Sequence, residues 1–179
     1  MKMSGWWAIS LAGILVFCRS TGVLADVPIT ITGTIIEPAC SVRDASGSGQ
    51  TEVNFGPVSL DDVGTAKALQ SLVMKVTCDS SAPAGKSLKM FIAPSSSGTI
   101  TWSGQAVLGT SLSGLGIDLT DSSQARIPLS TWVDVPGVDT SVAAPSGEVT
   151  LQAMLVSPDT STLAAGDFSA TASVVMSYM

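Results

Sequence analysis

The C-terminal segment from Gly166 to Met179 alternates between apolar and polar side chains. Its apolar positions are Phe168, Ala170, Ala172, Val174, Met176 and Tyr178, and the residues between them are mostly polar. A period of two is typical of a β-strand that has one buried face. Because the sequence continues for only one residue after Tyr178, we expect this strand to form the edge of a sheet. An exposed edge recruits other chains through its unpaired backbone groups, so something has to cover it.

A second amphipathic segment lies near the other end of the chain, between Asp26 and Ile35. The residues that share its apolar face are Val27, Ile29, Ile31, Gly33 and Ile35. Pro28 and three threonines occupy the opposite face. The period alone leaves two interpretations open. The segment is either an ordinary first strand of a sandwich or a strand that is lent to a neighbouring copy of the chain.

Residues 1–25 have the pattern of a secretory signal peptide. Lys2 provides a basic start, and the apolar run from Trp6 to Cys18 is too short for a stable membrane span. Small residues before Asp26 provide a cleavage site, so we expect export and a mature chain of one domain.

The two cysteines that remain after this cleavage, Cys40 and Cys78, form an even count in an exported chain. They predict one disulfide in an oxidising compartment, because exported thiols are normally paired. Closing the loop between Cys40 and Cys78 should stabilise the fold by about 4 kcal/mol in the chain-entropy model.

Composition argues against an enzyme. The chain has no histidine, which removes the usual general base and the commonest metal ligand, and we predict no catalytic residue, metal or cofactor. Without Lys2 and Arg19, six basic residues face 14 acidic ones, a net charge of about −8. The chain has no basic stripe for nucleic acid. Asp118 and Asp121 could hold calcium weakly, but the spacing of a calcium loop is missing, so we interpret them as solvated loop acids.

Along the rest of the chain, short apolar segments alternate with turns rich in Gly, Ser and Pro, which predicts an all-β sandwich. The predicted strands cover residues 27–42 (broken near 38), 52–55, 72–78, 88–93, 116–120, 127–129, 148–156 and 168–178. Only residues 63–70 could form a short helix, which Gly64 weakens. Trp102 and Trp132 are isolated among Ser and Thr, so we expect them to pack in the fold rather than to stack on a sugar.

The two termini and the cysteines together resemble the pilin subunits of the bacterial chaperone–usher pathway. Gly166 and Tyr178 match the glycine fourteen residues from the end and the penultimate tyrosine of that family. Gly33 matches the glycine of the family's N-terminal extension, and Cys40 and Cys78 match its cysteine pair. The central segments 114–121 and 126–129 are also similar to the family.

The resemblance implies an incomplete immunoglobulin-like sandwich that lacks its last strand and is completed by a donor strand. It divides the chain into a signal peptide (1–25), a donor-strand extension (26–36) and a pilin domain (37–179). The donor residues would be Val27, Ile29, Ile31, Gly33 and Ile35. The groove of the next subunit would be lined by Gly166, Phe168, Ala170, Ala172, Val174, Met176 and Tyr178.

The function implied by the resemblance is that of a structural subunit of an adhesive fimbria, which polymerises head to tail by donor-strand exchange. Its partners would be other pilin subunits, a periplasmic chaperone and an outer-membrane usher, on a route through the periplasm to the cell-surface fimbrium. The alternative is a glycan-binding tip adhesin, although adhesins of the family carry an extra domain and lack the extension. The resemblance around residues 26–31 and 114–129 favours a minor subunit or adaptor over the main shaft.

Overall fold

The computed structural model describes residues 40–135 and 137–179, which form two antiparallel β-sheets around one hydrophobic core. The strands are β1 (Cys40–Arg43), β2 (Leu69–Cys78), β3 (Leu88–Pro94), β4 (Thr99–Trp102), β5 (Gln105–Gly109), β6 (Gly116–Asp121), β7 (Trp132–Asp134), β8 (Ser146–Val156) and β9 (Ala172–Tyr178). One sheet has the order β1-β2-β8-β6-β5-β4, and the other has the order β7-β3-β9. The all-β, two-sheet architecture predicted from the sequence is confirmed.

The core is built from the inward faces of the two sheets, as the period of two requires. The period of two over residues 148–156 places Val149, Leu151, Ala153 and Leu155 on the inward face of β8, and all four are buried, as is Val156 at the end of the strand. Met90 and Ile92 of β3 face them from the second sheet. Burying each large side chain of this kind contributes about 1.5–3 kcal/mol.

The predicted disulfide is present between Cys40 and Cys78. The two cysteines are direct cross-strand partners in the β1–β2 ladder, and both are buried. Because β1 has only four residues, the bond fixes this short edge strand to the ten-residue β2.

The C-terminal strand is shorter than predicted, because its ladder with β3 begins at Ala172 and not at Phe168. Ala172 lies opposite Pro94, the last residue of β3, and the chain then turns between Ser95 and Gly98. Residues 168–171 have no neighbouring strand in the described part of the chain. Ser169 is hydrogen-bonded instead to Ser111, which lies in a loop.

Three other predicted elements were wrong. Residues 52–55 and 127–129 are not strands, although Arg126 forms a single bridge with Thr120. The predicted helix at 63–70 is a 3-10 turn over Ala66–Ala68, followed at once by β2. Gly64 adopts a positive φ of 81°, which is not helical geometry, so a continuous helix over residues 63–70 does not form.

The β4–β5 hairpin and the short strand β7 were not predicted from the sequence. The hairpin turns at Ser103 and Gly104, which both have positive φ, as a two-residue hairpin loop of this kind requires. The Ser-Gly pair between two apolar segments was an available signal. β7 has three residues, too few for a period to be visible.

The predicted signal peptide (1–25), the donor-strand extension (26–36) and the first part of the predicted strand 27–42 lie outside the described residues. In the part of the chain that the structure does describe, the helical elements are short 3-10 turns, and none is long and apolar enough to cross a membrane.

Candidate strand-binding groove

β9 pairs with β3 along one side and, within residues 40–135 and 137–179, has no strand on its other side. Its inward residues face the core, because Val174 lies opposite the buried Ile92 and Met176 lies opposite the buried Met90. β9 is therefore an edge strand whose apolar face belongs to the core. Such an edge offers unpaired backbone groups to another strand.

An open groove of about 1170 Å³ runs beside the segment that leads into β9 and the start of this strand. One wall, which we call the β9 wall, consists of residues 164–174, and the opposite wall consists of residues 49–60. The floor is formed by core side chains of both sheets, namely Leu72, Met74, Ile92, Ile117, Leu119, Leu151, Ala153 and Leu155. Apart from the half-buried Leu72, these floor side chains are buried, so the groove reaches down to the hydrophobic core between its two walls.

The wall of residues 49–60 is not paired with another strand among the described residues. Between residues 49 and 58 the described structure contains no backbone-to-backbone hydrogen bond, and only local bonds such as that from Gly56 N to Asn54 Oδ1 occur there. Thr51, Val53 and Phe55 are half-buried, and Glu52 and Asn54 between them are exposed. The segment therefore has the side-chain alternation of a strand without a strand partner.

One contact joins the two walls. The rings of Phe55 and Phe168 lie with centroids 6.0 Å apart and planes tilted by 54°. Both side chains are half-buried and pack against the core. β1, which precedes the wall of residues 49–60, also lies close to β9.

The residues that the sequence analysis assigned to the groove occupy two kinds of position. Gly166, Phe168, Ala170, Ala172 and Val174 line the groove. Met176 is fully buried in the core and lies beyond the groove lining. The donor residues Val27, Ile29, Ile31, Gly33 and Ile35 lie outside the described residues.

Tyr178 also lies beyond the groove lining, at the far end of β9. Its hydroxyl donates a hydrogen bond of 2.8 Å to the backbone oxygen of Ser80, and burial raises the pKa of this hydroxyl. The bond connects β9 to the loop that follows Cys78 and so fixes the end of the edge strand.

The opposite wall, residues 49–60, was not predicted from the sequence as part of the groove. Phe55, Val58, Leu60 and Val63 line the groove from that side, and Leu112 contributes from a loop. The alternation over residues 51–55 was the available signal, and it was interpreted as a sheet strand. Of the charged side chains in the described structure, those that line this groove are the acidic Glu52 and Asp167.

The tryptophans and the suspected calcium ligands have structural partners. Asp118 is 3% exposed, and Arg126 binds it with Nη2 at 3.0 Å from Oδ2 and Nε at 2.7 Å from Oδ1. The guanidinium also covers the ring of Trp102 at 4.7 Å. The interpretation of Asp118 as a solvated loop acid was therefore wrong, because it is a buried ion-pair partner.

Trp132 packs against Phe91, with ring centroids 5.2 Å apart. Near this pair, the Lys89 ammonium lies 2.6 Å from Asp134 and lowers the pKa of that carboxyl. Among the described residues no three potential metal-ligating side chains come together.

The two sheets form a sandwich of immunoglobulin type with an open groove beside an edge strand. Proteins of this class leave one strand position of the sandwich unfilled by their own chain. A sequence model of the fimbrial protein family matches residues 29–179. The chain therefore belongs to the fimbrial protein family. Comparison with curated proteins gave no match.

Solved structures have the same fold. A structure of a chaperone–usher pilus, determined in a study of rod uncoiling, is 16% identical, with a TM-score of 0.56 over 86% of this chain and 96% of that chain. The crystal structure of the P pilus rod subunit PapA is 17% identical, with a TM-score of 0.56 over 79% of this chain and 99% of that chain. Family and fold together make the protein a structural subunit of a cell-surface pilus, which assembles with other pilin subunits.

Proposed function

We propose that this protein polymerises by donor-strand exchange, in which residues 27–35 of one subunit fill the groove of the next. The observation that supports the proposal is the groove itself, whose floor is hydrophobic core and whose walls, among the described residues, have no strand on the side that faces the groove. An inserted strand would cover the apolar floor and would offer hydrogen bonds to both walls. Strand addition of this kind is an established mode of chaperone–pilin recognition.

The donor segment has the chemistry that the groove requires. Val27, Ile29, Ile31 and Ile35 would bury apolar area worth about 6–12 kcal/mol at most, at 1.5–3 kcal/mol per side chain. Gly33 would meet a shallow point of the floor. Pro28 cannot donate a backbone hydrogen bond, so the pairing should be weakest at that end.

Before assembly the groove needs a temporary occupant, because an uncovered edge strand beside an apolar groove makes a chain prone to aggregation. A periplasmic chaperone that lends a strand, followed by an outer-membrane usher, fits this need and the export predicted from residues 1–25. Within the fibre we assign the protein to a minor subunit or adaptor, on the residues around 26–31 and 114–129.

The alternative of a glycan-binding tip adhesin has less support. A sugar platform needs an accessible aromatic face, whereas Trp102 is covered by Arg126 and Trp132 packs on Phe91.

The proposal is tested by appending a copy of residues 26–36 after Met179 through a short turn, so that the added strand can fold back beside β9. We expect the melting temperature to rise by about 10 °C or more, because several kcal/mol of apolar burial are added to a domain of this size. Self-assembly should stop at the same time, because the groove is occupied.

The matched control carries the same appended segment with Ile29→Asp and Ile31→Asp, which keeps the length and removes the apolar contacts. It should melt like the parent chain and still assemble. An equal rise in melting temperature for both versions would contradict the proposal, because the gain would then not depend on filling the apolar groove.

A further inference from the structure

The wall of residues 49–60 has few attachments other than side-chain packing. Its backbone between residues 49 and 58 makes only local hydrogen bonds in the described structure, so the core-packed side chains of Phe55 and Val58 have to hold it in place. Phe55 is the larger of these, and it packs on Phe168 of the opposite wall. The aromatic pair is therefore a principal link between the two walls.

The β9 wall at this point is held on its outer side. Ser169 accepts a hydrogen bond from Ser111 N at 2.8 Å, and Thr171 accepts one from Ser95 N at 3.0 Å. Phe168 thus projects from an anchored segment, while Phe55 projects from a segment without such anchors. Any separation of the two rings should move the wall of residues 49–60.

We propose that Phe55 and Phe168 form an aromatic clasp that holds the empty groove partly closed and opens when a donor strand enters, an inference that rests on the function proposed above. An inserted strand lies about 4.8 Å from each neighbouring strand, so it needs the space between the walls in which the two rings now meet. The clasp covers part of the core while the groove is empty. It also adds an energy barrier to the entry of a donor strand, and this barrier is absent once the groove is filled.

The clasp therefore sets the rate of strand entry, and removal of either ring should accelerate it. The probe is a fluorescently labelled synthetic peptide of residues 26–36, added in large excess to the chain from Asp26 to Met179. Incorporation is followed over time for the wild type, Phe55→Leu and Phe168→Leu. Leucine keeps the site apolar and removes the ring-to-ring contact.

We expect each variant to take up the peptide about two- to tenfold faster than the wild type, the range that corresponds to the loss of one aromatic pair interaction. The double variant should be no faster than the faster single variant, because both substitutions break the same contact. Phe91→Leu is the matched control. It removes the second aromatic pair, with Trp132, which lies outside the groove lining, and it should leave the rate unchanged.

The outcomes separate the clasp from the function on which it rests. Uptake at equal rates by the wild type and both groove variants would overturn the clasp and leave donor-strand exchange intact. Acceleration by Phe91→Leu to the same extent would also overturn it, because the effect would then reflect general loosening of the fold. If even the wild type takes up no peptide, donor-strand exchange itself is overturned and the clasp with it.

Discussion

Val174 is the residue at which the core and the groove meet. It lies opposite the buried Ile92 in the β3–β9 ladder, and it is half-buried because its outer side lines the groove. A side chain in this position contacts the core from one side and any inserted strand from the other. Its chemistry should therefore affect strand binding more strongly than it affects the fold alone.

The substitution Val174→Asp should weaken binding of a peptide of residues 26–36 by about a hundredfold. A carboxylate covered by an apolar strand without a partner costs about 3 kcal/mol. Ser173→Asp is the control, because Ser173 is exposed and lies opposite Ala93 on the other face of β9. Titration of the labelled peptide measures both affinities, and equal losses would show that the inward face of β9 does not contact the inserted strand.

Arg126 has a different role, which is to neutralise a buried carboxylate. Asp118 is 3% exposed on β6, and Arg126 contacts both of its oxygens. The substitution Arg126→Ala should lower the free energy of unfolding by about 3–5 kcal/mol, because it leaves the charge buried without a partner.

The double variant Asp118→Leu with Arg126→Met should recover most of that stability, since a buried ion pair can be replaced by apolar side chains at little cost. Urea unfolding measures each variant. A change of less than about 0.5 kcal/mol for Arg126→Ala, the range of ordinary surface substitutions, would contradict the role assigned to the pair.

At the scale of elements, the sequence predicted strands best where a segment has both a period of two and a neighbouring strand. β8 is such a case, and its four inward residues were identified before the fold was known. The wall of residues 49–60 shows the limit, because alternation at 51–55 reports buried and exposed side chains but cannot report whether the backbone has a neighbour. The start of β9 at Ala172 depends on where its partner β3 ends. No residue of β9 determines that position.

The shortest element that matters for the site is β1. It lies at the edge of the larger sheet, and Cys40 connects it to Cys78 of β2. In sequence, β1 begins four residues after the end of the predicted donor extension (26–36).

Replacing both cysteines by serine should lower the free energy of unfolding by about 4 kcal/mol, because the unfolded chain loses a constraint over 38 residues of sequence. Denaturant unfolding of the exported protein measures the change, and the wild type under strong reducing conditions should show a similar loss. A double variant as stable as the oxidised wild type would contradict the structural role of the bond.

At the scale of the whole molecule, half of the site could be predicted. The β9 wall was found from its own sequence pattern, with Met176 and Tyr178 placed in the lining although they lie beyond it. The opposite wall, the floor and the Phe55–Phe168 contact are products of tertiary packing between segments more than a hundred residues apart. No local pattern reports such a contact.

One groove and one proposed donor segment on each chain would define a heterologous contact, in which two different surfaces of the same protein meet. Contacts of this type repeat head to tail and form an open fibre unless the rotation closes a ring. The central claim of this account is therefore an exchange between chains, with residues 27–35 of one subunit beside residues 168–174 of another.

Crosslinking within assembled fibres tests this claim most directly. Subunits carrying Ile31→Cys are mixed with isotopically labelled subunits carrying Val174→Cys, and the fibre is treated with a short bis-maleimide before digestion and mass spectrometry. The account predicts crosslinked peptides that join an unlabelled residue 31 to a labelled residue 174. The same assembly with Val174→Cys replaced by Ser130→Cys, in a turn outside the groove lining, should give few such links. Crosslinks from residue 31 that form equally with residue 130, or none to residue 174, would contradict the account.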